Sequence, residues 1–352
     1  MFRIRWICEL LCICVLVAGC SIPEQTTSEA PIADAKAYNE VAIDLFYQRG
    51  KSALSEKRYL LAIESYRHAL QRDPRNMRSR LGLGEAYLAV SKSDAALLQF
   101  RTVLNLLETG VLDIEADGNA SDGASANKAV PGETKAKLAG AADARPSAPE
   151  VTLDDAERQE LRALTLQGIG LATLRGSDRQ SASDVLSEAV ALNPGLWRSW
   201  LGLARIYDFE RRWDLAQTAY ERAISIAPKE SSPYNNLGMS RLAAGDFDSA
   251  EQAFVDALKR DRTSKVIKAN LRLTLAWQGK YENALAGAKR QDRAKILNNV
   301  GFIALMRTDY AKSQQLLLEA IESSSTYFVE ARKNLEVAER LANNGKTTEG
   351  TR

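Results

Sequence analysis

The sequence predicts an all-α protein in which pairs of helices repeat along the chain. Alanine recurs at intervals of 34 residues within two blocks of the chain. The first block has Ala62 and Ala96, and the second has Ala182, Ala216, Ala250 and Ala284. Small and bulky residues recur in the same phase on either side of it. Hydrophobic residues make up 45% of the chain and charged residues 26%, which is typical of a folded protein. The repeat therefore predicts a solenoid of helical hairpins.

The residues around each alanine indicate how the helices pack. A small residue lies twelve positions before most of these alanines, at Gly50, Gly84, Gly170, Ala204 and Gly238. A bulky residue lies four positions after it, at Tyr66, Phe100, Leu186, Tyr220 and Phe254. Small residues let two antiparallel helices approach closely, and bulky residues fill the space toward the next pair. Proline lies near the end of three of the units, where the second helix must stop.

These columns resemble the tetratricopeptide repeat, whose consensus has small residues at its eighth, twentieth and twenty-seventh positions and proline at its thirty-second. The resemblance implies a right-handed superhelical solenoid. A generic alanine-rich bundle is the alternative. Two units are predicted within 38–113, at 43–76 and 77–110. Five more are predicted within 151–327, and the fourth of these is shortened. They are 163–196, 197–230, 231–264, 265–293 and 294–327. A capping helix at 328–343 and a disordered tail at 344–352 are predicted to follow.

The period is interrupted at 114–150. This segment has no aromatic residue and is rich in Ala, Gly, Ser, Asp and Pro, so it is predicted to be disordered. It is either a partner-binding arm or hinge, or a tolerated surface insertion, and the second interpretation is preferred. A helix capped by Thr152 or Asp154 is predicted to follow and to end at Gly176.

The first nineteen residues have the features of a signal peptide. Arg3 and Arg5 precede an apolar run at 10–17, which as a helix spans about 12 Å of a bilayer core about 30 Å thick. All four cysteines lie within the first twenty residues. The segment 1–19 is therefore predicted to be a targeting signal rather than a membrane anchor.

The end of this signal resembles the bacterial lipobox. The residues are Val17-Ala18-Gly19-Cys20, followed by Ser21. The resemblance implies that Cys20 becomes the lipidated N-terminus and that the protein is held at the periplasmic face of the outer membrane of a Gram-negative bacterium. The polar sequence that follows, with Pro23 and Pro31, predicts a flexible tether at 20–37. An ordinary secretory signal is the alternative.

Features of catalysis are missing from the sequence. The only histidine is His68, and no cysteine follows residue 20, which excludes a His-rich metal site and a disulfide within the folded part. The glycines at 168 and 170 lie inside a predicted helix and serve packing rather than phosphate binding. We expect no enzyme activity, cofactor, metal or small-molecule substrate. The net charge of +2 also argues against nucleic acid as the main partner.

One polar column favours peptide binding. Asn236, Asn270 and Asn299 occupy the sixth position of units five, six and seven. An asparagine amide both donates to and accepts from a peptide backbone, so such a column suits an extended ligand. The predicted groove residues are Asn235, Asn236, Met239, Asn270, Asn298, Asn299 and Phe302, with Met306 on the same surface. A purely structural column is the alternative.

The C-terminal half also resembles a known family. The segments are ANLRLTLAWQGKYENAL and ILNNVGFIALMRTDYAKSQQLLLEAIESSSTYFVEARKNL. Together with the lipobox and tether, they resemble the TadD-like lipoproteins of the Tad (tight adherence, Flp) pilus system. The resemblance implies an outer-membrane adaptor that helps localise or assemble a secretin. The alternatives are a type IV pilus pilotin, another envelope-assembly lipoprotein, and an adaptor that recruits a periplasmic hydrolase.

Overall fold

The structure is a computed structural model that describes residues 32–112, 153–176 and 178–349, apart from 325 and 327. Side chains are described from residue 37 to residue 343 within these ranges. The predicted signal peptide at 1–19, the predicted lipidation site Cys20 and the predicted insertion at 114–150 lie outside the described residues.

The described residues form a succession of helices in pairs. These helices are α1 (Ile32–Ser55), α2 (Tyr59–Arg72), α3 (Met77–Ala89), α4 (Ser93–Thr109), α5 (Asp155–Arg175), α6 (Arg179–Leu192), α7 (Trp197–Phe209), α8 (Trp213–Ile226), α9 (Ser231–Ala244), α10 (Phe247–Arg260), α11 (Lys265–Trp277), α12 (Tyr281–Leu285), α13 (Arg290–Met306), α14 (Tyr310–Glu322) and α15 (Val329–Glu349). Each odd-numbered helix up to α13 packs against the helix that follows it. These pairs are the seven predicted units, and the all-α solenoid is confirmed.

The alanine column lies in the core. All six alanines that define the period are 0% exposed. In the seventh unit Ser313 takes this position, and its buried hydroxyl donates a hydrogen bond to the Gly301 carbonyl at 2.9 Å. The hydroxyl is tolerated there because it has a partner within the same helical pair.

Each bulky residue of the first units is held between two glycines. The Phe100 ring lies against Gly84 of its own unit and Gly168 of the next, and a β-carbon at either glycine would lie 2.5 Å from the ring. Tyr66 and Leu186 are held in the same way, Tyr66 by Gly50 and Gly82 and Leu186 by Gly170 and Gly202. The glycines are required because any larger side chain would overlap the bulky one. Each bulky side chain therefore joins its unit to the next one.

The stack is continuous across the interruption in the sequence. α4 packs directly on α5, and the contact of Phe100 with Gly168 belongs to that interface. Arg158 donates to the Leu107 carbonyl at 2.8 Å. Arg162 forms ion pairs with Glu108 at 2.9 Å and Glu188 at 3.0 Å. The sequence left open whether the two blocks form one superhelix, and this interface shows that they stack as the other units do.

Removal of the insertion is expected to leave the fold intact. The described residues of α4 and α5 pack directly on each other. Deleting 116–148 should therefore change the far-UV helicity and the melting midpoint of the remaining chain very little. Circular dichroism of both chains measures this. A large loss of helical signal per residue would show that the deleted segment packs on the repeats.

Both ends of the helical array extend beyond their predicted limits. α1 begins at Ile32, inside the predicted tether at 20–37, because the alanine-rich sequence after residue 31 has high helix propensity. α15 was expected to end at residue 343, but its backbone stays helical to Glu349, so 344–349 is not a disordered tail. Extending an existing helix costs far less than nucleating a new one, which accounts for the added turns. None of the described helices has the length and hydrophobicity needed to cross a bilayer.

The sixth unit is shortened, as the sequence predicts. α12 has five residues, and Gly287 at a φ of 65° follows it before α13 begins at Arg290, four residues before the predicted unit boundary. Arg272 occupies the position at which the other units carry glycine or alanine. Its guanidinium donates to the Ala286 carbonyl at 3.2 Å. The long side chain fits because the shortened helix supplies no bulky residue against it.

Candidate protein-binding groove

The first helices of the units form the inner face of the solenoid. Each of them contacts the first helix of the next unit, from α1 through α15. Among the described residues, no such contacts join one second helix to the next. The first helices are therefore closer together, which places them on the inside of the curve. From here on, the name inner face is used for the part of this surface that α7, α9, α11 and α13 form.

Three of the predicted asparagines form one hydrogen-bonded group. Asn270 on α11 donates to Asn235 on α9 at 3.0 Å, and Asn235 donates to Asn236 at 3.2 Å. We call these residues the first asparagine cluster. Their side chains are half-buried. The amide nitrogen of Asn236 and the amide oxygen of Asn270 take no part in these two hydrogen bonds, so both can bond to a ligand.

The other two predicted asparagines join a residue that was not predicted. Asn334 on α15 donates to Asn298 on α13 at 3.0 Å, and Asn298 lies 3.5 Å from Asn299. We call these three residues the second asparagine cluster. No hydrogen bond between described side chains links it to the first. The predicted column is thus two separate clusters, and α15 contributes to the groove besides covering the end of the array.

The space available at the sixth position differs between the units. The sixth positions of units two, three and four are Gly82, Gly168 and Gly202, which touch the bulky residue of the preceding unit. Asn299 follows the shortened α12, which has no residue at the bulky position. An amide side chain therefore fits at Asn299 without meeting a ring or a leucine.

A cavity of about 360 Å³ adjoins the first cluster. Its lining includes Arg205, Asp208, Asn236 and Ser240. The Asp208 carboxylate accepts hydrogen bonds from the Tyr220 hydroxyl and the Ser240 hydroxyl, both at 2.5 Å. Burial and the hydrogen bond to Asp208 raise the pKa of the Tyr220 phenol, so it stays protonated as a donor. This carboxylate therefore fixes the positions of α7, α8 and α9 around the cavity.

Apolar side chains lie beside the polar clusters. Met239, Phe302 and Met306 are 41%, 42% and 49% exposed. Met239 lines the same cavity as Asn236, and Phe302 lies one turn after Asn298 and Asn299 on α13. The sequence placed all three on the binding surface, and the structure leaves all three accessible. Methionine adapts readily to partners of different shape.

The groove combines apolar contact surface with hydrogen-bonding amides. Such a surface suits a polypeptide, whose backbone both donates and accepts. Within the described residues, no group of three or more histidine, cysteine, aspartate or glutamate side chains is placed to share a metal ion.

The sequence did not predict three residues of this site, which are Asp208, Ser240 and Asn334. Of these three residues, only Asn334 could have been predicted from the sequence. It lies 36 residues after Asn298, and this spacing is close to the 35 residues between Asn235 and Asn270.

Sequence comparison agrees with this architecture. Family models described as tetratricopeptide repeat match residues 47–106, 199–234 and 231–264. Tetratricopeptide repeats are thus present within 47–106 and 199–264. No curated protein has a significantly similar sequence.

Several solved structures of tetratricopeptide-repeat type resemble the chain. A tetratricopeptide repeat protein from Parabacteroides merdae is 12% identical over 85% of this chain and 99% of its own, with a TM-score of 0.43. A thermophilic TPR protein of Thermus thermophilus is 14% identical over 69% and 99%, with a TM-score of 0.43. Pseudomonas aeruginosa pilF is 13% identical over 84% and 97%, with a TM-score of 0.42.

Tetratricopeptide repeats generally act as protein-interaction scaffolds. In this chain the repeats place two asparagine clusters and three accessible apolar side chains on one continuous inner face. The geometry therefore supports binding of a protein partner at the C-terminal repeats.

Proposed function

We propose that the chain is a lipid-anchored adaptor at the periplasmic face of the outer membrane, and that its C-terminal repeats bind a protein of the envelope. The observation that carries the binding role is the pair of asparagine clusters on the inner face. Each cluster crosses from one helix to the next, so a segment lying across the helices meets amide groups at two places. An extended polypeptide satisfies those groups with its own backbone.

The proposed partner is an envelope secretin or another component of pilus assembly. Support comes from the TadD-like segments at 269–285 and 296–335, which cover the last part of α11, all of α12 and α14, most of α13 and the start of α15. These segments contain the second asparagine cluster and Asn270 of the first. The part of the chain that carries the family resemblance is thus the part that carries most of the groove.

Recovery of partners from membranes tests this proposal. The full chain, tagged at its C-terminus, is isolated from detergent-solubilised membranes of the source bacterium, and co-purifying proteins are identified by mass spectrometry. We expect a secretin or pilus-assembly protein that is lost when Asn236, Asn270 and Asn299 are changed to alanine. Recovery of a periplasmic hydrolase in its place would favour the adaptor alternative and overturn the pilus assignment. Genes for a secretin and a secretion ATPase beside this one would support the pilus assignment.

Anchoring is expected to depend on Cys20 alone among the cysteines. Cys20→Ala removes the thiol that would be acylated, so the precursor should stay uncleaved by the lipoprotein peptidase and incorporate no labelled palmitate. Cys14→Ala, inside the apolar run, is the matched control and should be processed normally. Membrane fractionation and palmitate labelling of both variants measure this. Normal processing and sorting of Cys20→Ala would show that the chain is not a lipoprotein.

A further inference from the structure

The two faces of units four to seven differ in charge. The four helices of the inner face carry nine lysine or arginine residues against two aspartates. Their partners α8, α10, α12 and α14 carry four lysine or arginine residues against eight acidic ones. In the first three units α1, α3 and α5 are almost balanced, with eight basic and seven acidic residues. In units four to seven the basic excess is therefore carried by the first helices, and the small net charge of the whole chain conceals it.

Most of these cations have no carboxylate partner. Arg241 pairs with Asp246 at 3.0 Å, Arg293 pairs with Glu319 at 2.6 Å, and Arg198 lies 3.9 Å from Glu85 on α3. The remaining six have no carboxylate within ion-pair distance among the described residues, and they are Arg205, Lys265, Lys268, Arg272, Arg290 and Lys295. The carboxylate of Asp208 is already engaged by two hydroxyl groups.

A cation without an ion pair lies beside each asparagine cluster. Arg205 lines the same cavity as Asn236 of the first cluster. Lys295 precedes Asn298 and Asn299 of the second cluster by three and four residues, which places it on the same side of α13 one turn away. Each cluster also has an exposed apolar neighbour. The two clusters are thus two similar subsites, each with amides, a cation and an apolar side chain.

The spacing of the subsites sets a minimum ligand length. α9 and α13 are two first-helix steps apart, and packed helices are about 8–10 Å apart, so the subsites are separated by about 16–20 Å. An extended chain covers about 3.3 Å per residue and reaches both with about six residues.

We infer that the inner face binds an acidic polypeptide segment in extended conformation, long enough to reach both asparagine clusters. The asparagines bond to its backbone, and its carboxylates lie against Arg205 and Lys295. This inference rests on the proposed groove and adds the charge and the length of its occupant. A polypeptide fits better than a nucleic acid, because the asparagine amides match the donors and acceptors of a peptide backbone and the net charge of the whole chain is only +2.

Selection of peptides tests the inference and does not require the natural partner. A phage-displayed library of random 15-residue peptides is selected on the full chain at low salt. The enriched peptides are then synthesised with a fluorescent label, and their affinities are measured by polarisation. We expect net-negative sequences, whose affinity falls as the salt concentration rises. A labelled single-stranded RNA oligonucleotide is measured beside them.

Charge reversal on the two faces provides the matched comparison. Arg205→Glu with Lys295→Glu should weaken the selected peptides by about 10- to 100-fold. Arg222→Glu with Arg262→Glu makes the same change in net charge at exposed residues away from the inner face, and it should leave the affinity nearly unchanged. Asn270→Ala with Asn334→Ala, one residue from each cluster, should also weaken binding.

The outcomes separate this inference from the proposed groove. Neutral or basic selected peptides, or acidic ones weakened equally by both charge reversals, overturn the inference. If such peptides still depend on Asn270 and Asn334, the groove stands and only its charge preference is wrong. Peptides that bind independently of both asparagines and both cations overturn the groove as well. Tighter binding of the RNA, lost on reversal of Arg205 and Lys295, would assign the face to nucleic acid.

Discussion

Phe100→Ala is expected to lower the free energy of unfolding by about 3–5 kcal/mol, the range for truncating a buried phenylalanine. The ring is 0% exposed and joins Gly84 on α3 to Gly168 on α5. Because units in a solenoid are stabilised by their neighbours, its loss should also uncouple the first two units from the rest. Thermal unfolding followed by circular dichroism should then show two transitions in place of one.

A second variant makes this test specific to the junction. Gly168→Ala adds a methyl group 2.5 Å from the Phe100 ring and should destabilise the normal chain by about 1–3 kcal/mol. In the Phe100→Ala background the same methyl group enters the vacated space, so its cost should largely disappear. Leu60→Ala, at a side chain 78% exposed, is the control and should have little effect. Additive effects of the two core changes would show that the ring does not lie against Gly168.

Changing Asn236, Asn270 and Asn299 to alanine together is expected to weaken partner binding by about one to three decades. Each change removes a groove hydrogen bond that contributes about 0.5–1.5 kcal/mol. Only Asn270 among them forms a hydrogen bond between helices, its bond to Asn235, so the melting midpoint should fall only slightly. Partner pull-down and thermal unfolding are measured on the same protein.

The controls for this variant separate binding from stability. Asn283→Ala, on the second helix α12, removes an exposed amide away from the inner face and should change neither quantity. Asn235→Ala with Asn298→Ala removes the bonds between helices and keeps the three position-six amides, so it should affect stability more than the triple variant does. A folded triple variant with full affinity for its partner would exclude the groove, and one that unfolds would make the column structural.

Much of the fold follows from local sequence. The alanine period depends on residues within one helical pair, so it located the helix pairs and the shortened sixth unit. The capping of α5 was also predictable, because Asp154 accepts a hydrogen bond from the Glu157 amide three residues away. The ends of the array were less predictable. Helix extension past residue 343 has no signal in side-chain periodicity.

The candidate site was predicted in part. The sequence placed Asn235, Asn236, Asn270, Asn298 and Asn299 on the inner helices, because repeat position determines the face on which a residue lies. It did not predict that they divide into two clusters. That division depends on which amides come within hydrogen-bonding distance across helices about 35 residues apart. The hydrogen bond from the Ser240 hydroxyl to Asp208 was likewise not predictable, since Ser240 belongs to the next unit.

The sequence by itself determined the repeat, the packing columns and the helices that form the inner face, because each depends on periodicity within 34 residues. Only the tertiary structure decided that α4 stacks on α5, that Asn334 completes the second cluster, and that six of the nine basic residues of α7, α9, α11 and α13 have no carboxylate partner among the described residues. These features arise from contacts between units. The free energy of such contacts depends on how the helices are placed in space, and no local pattern in the sequence records that placement.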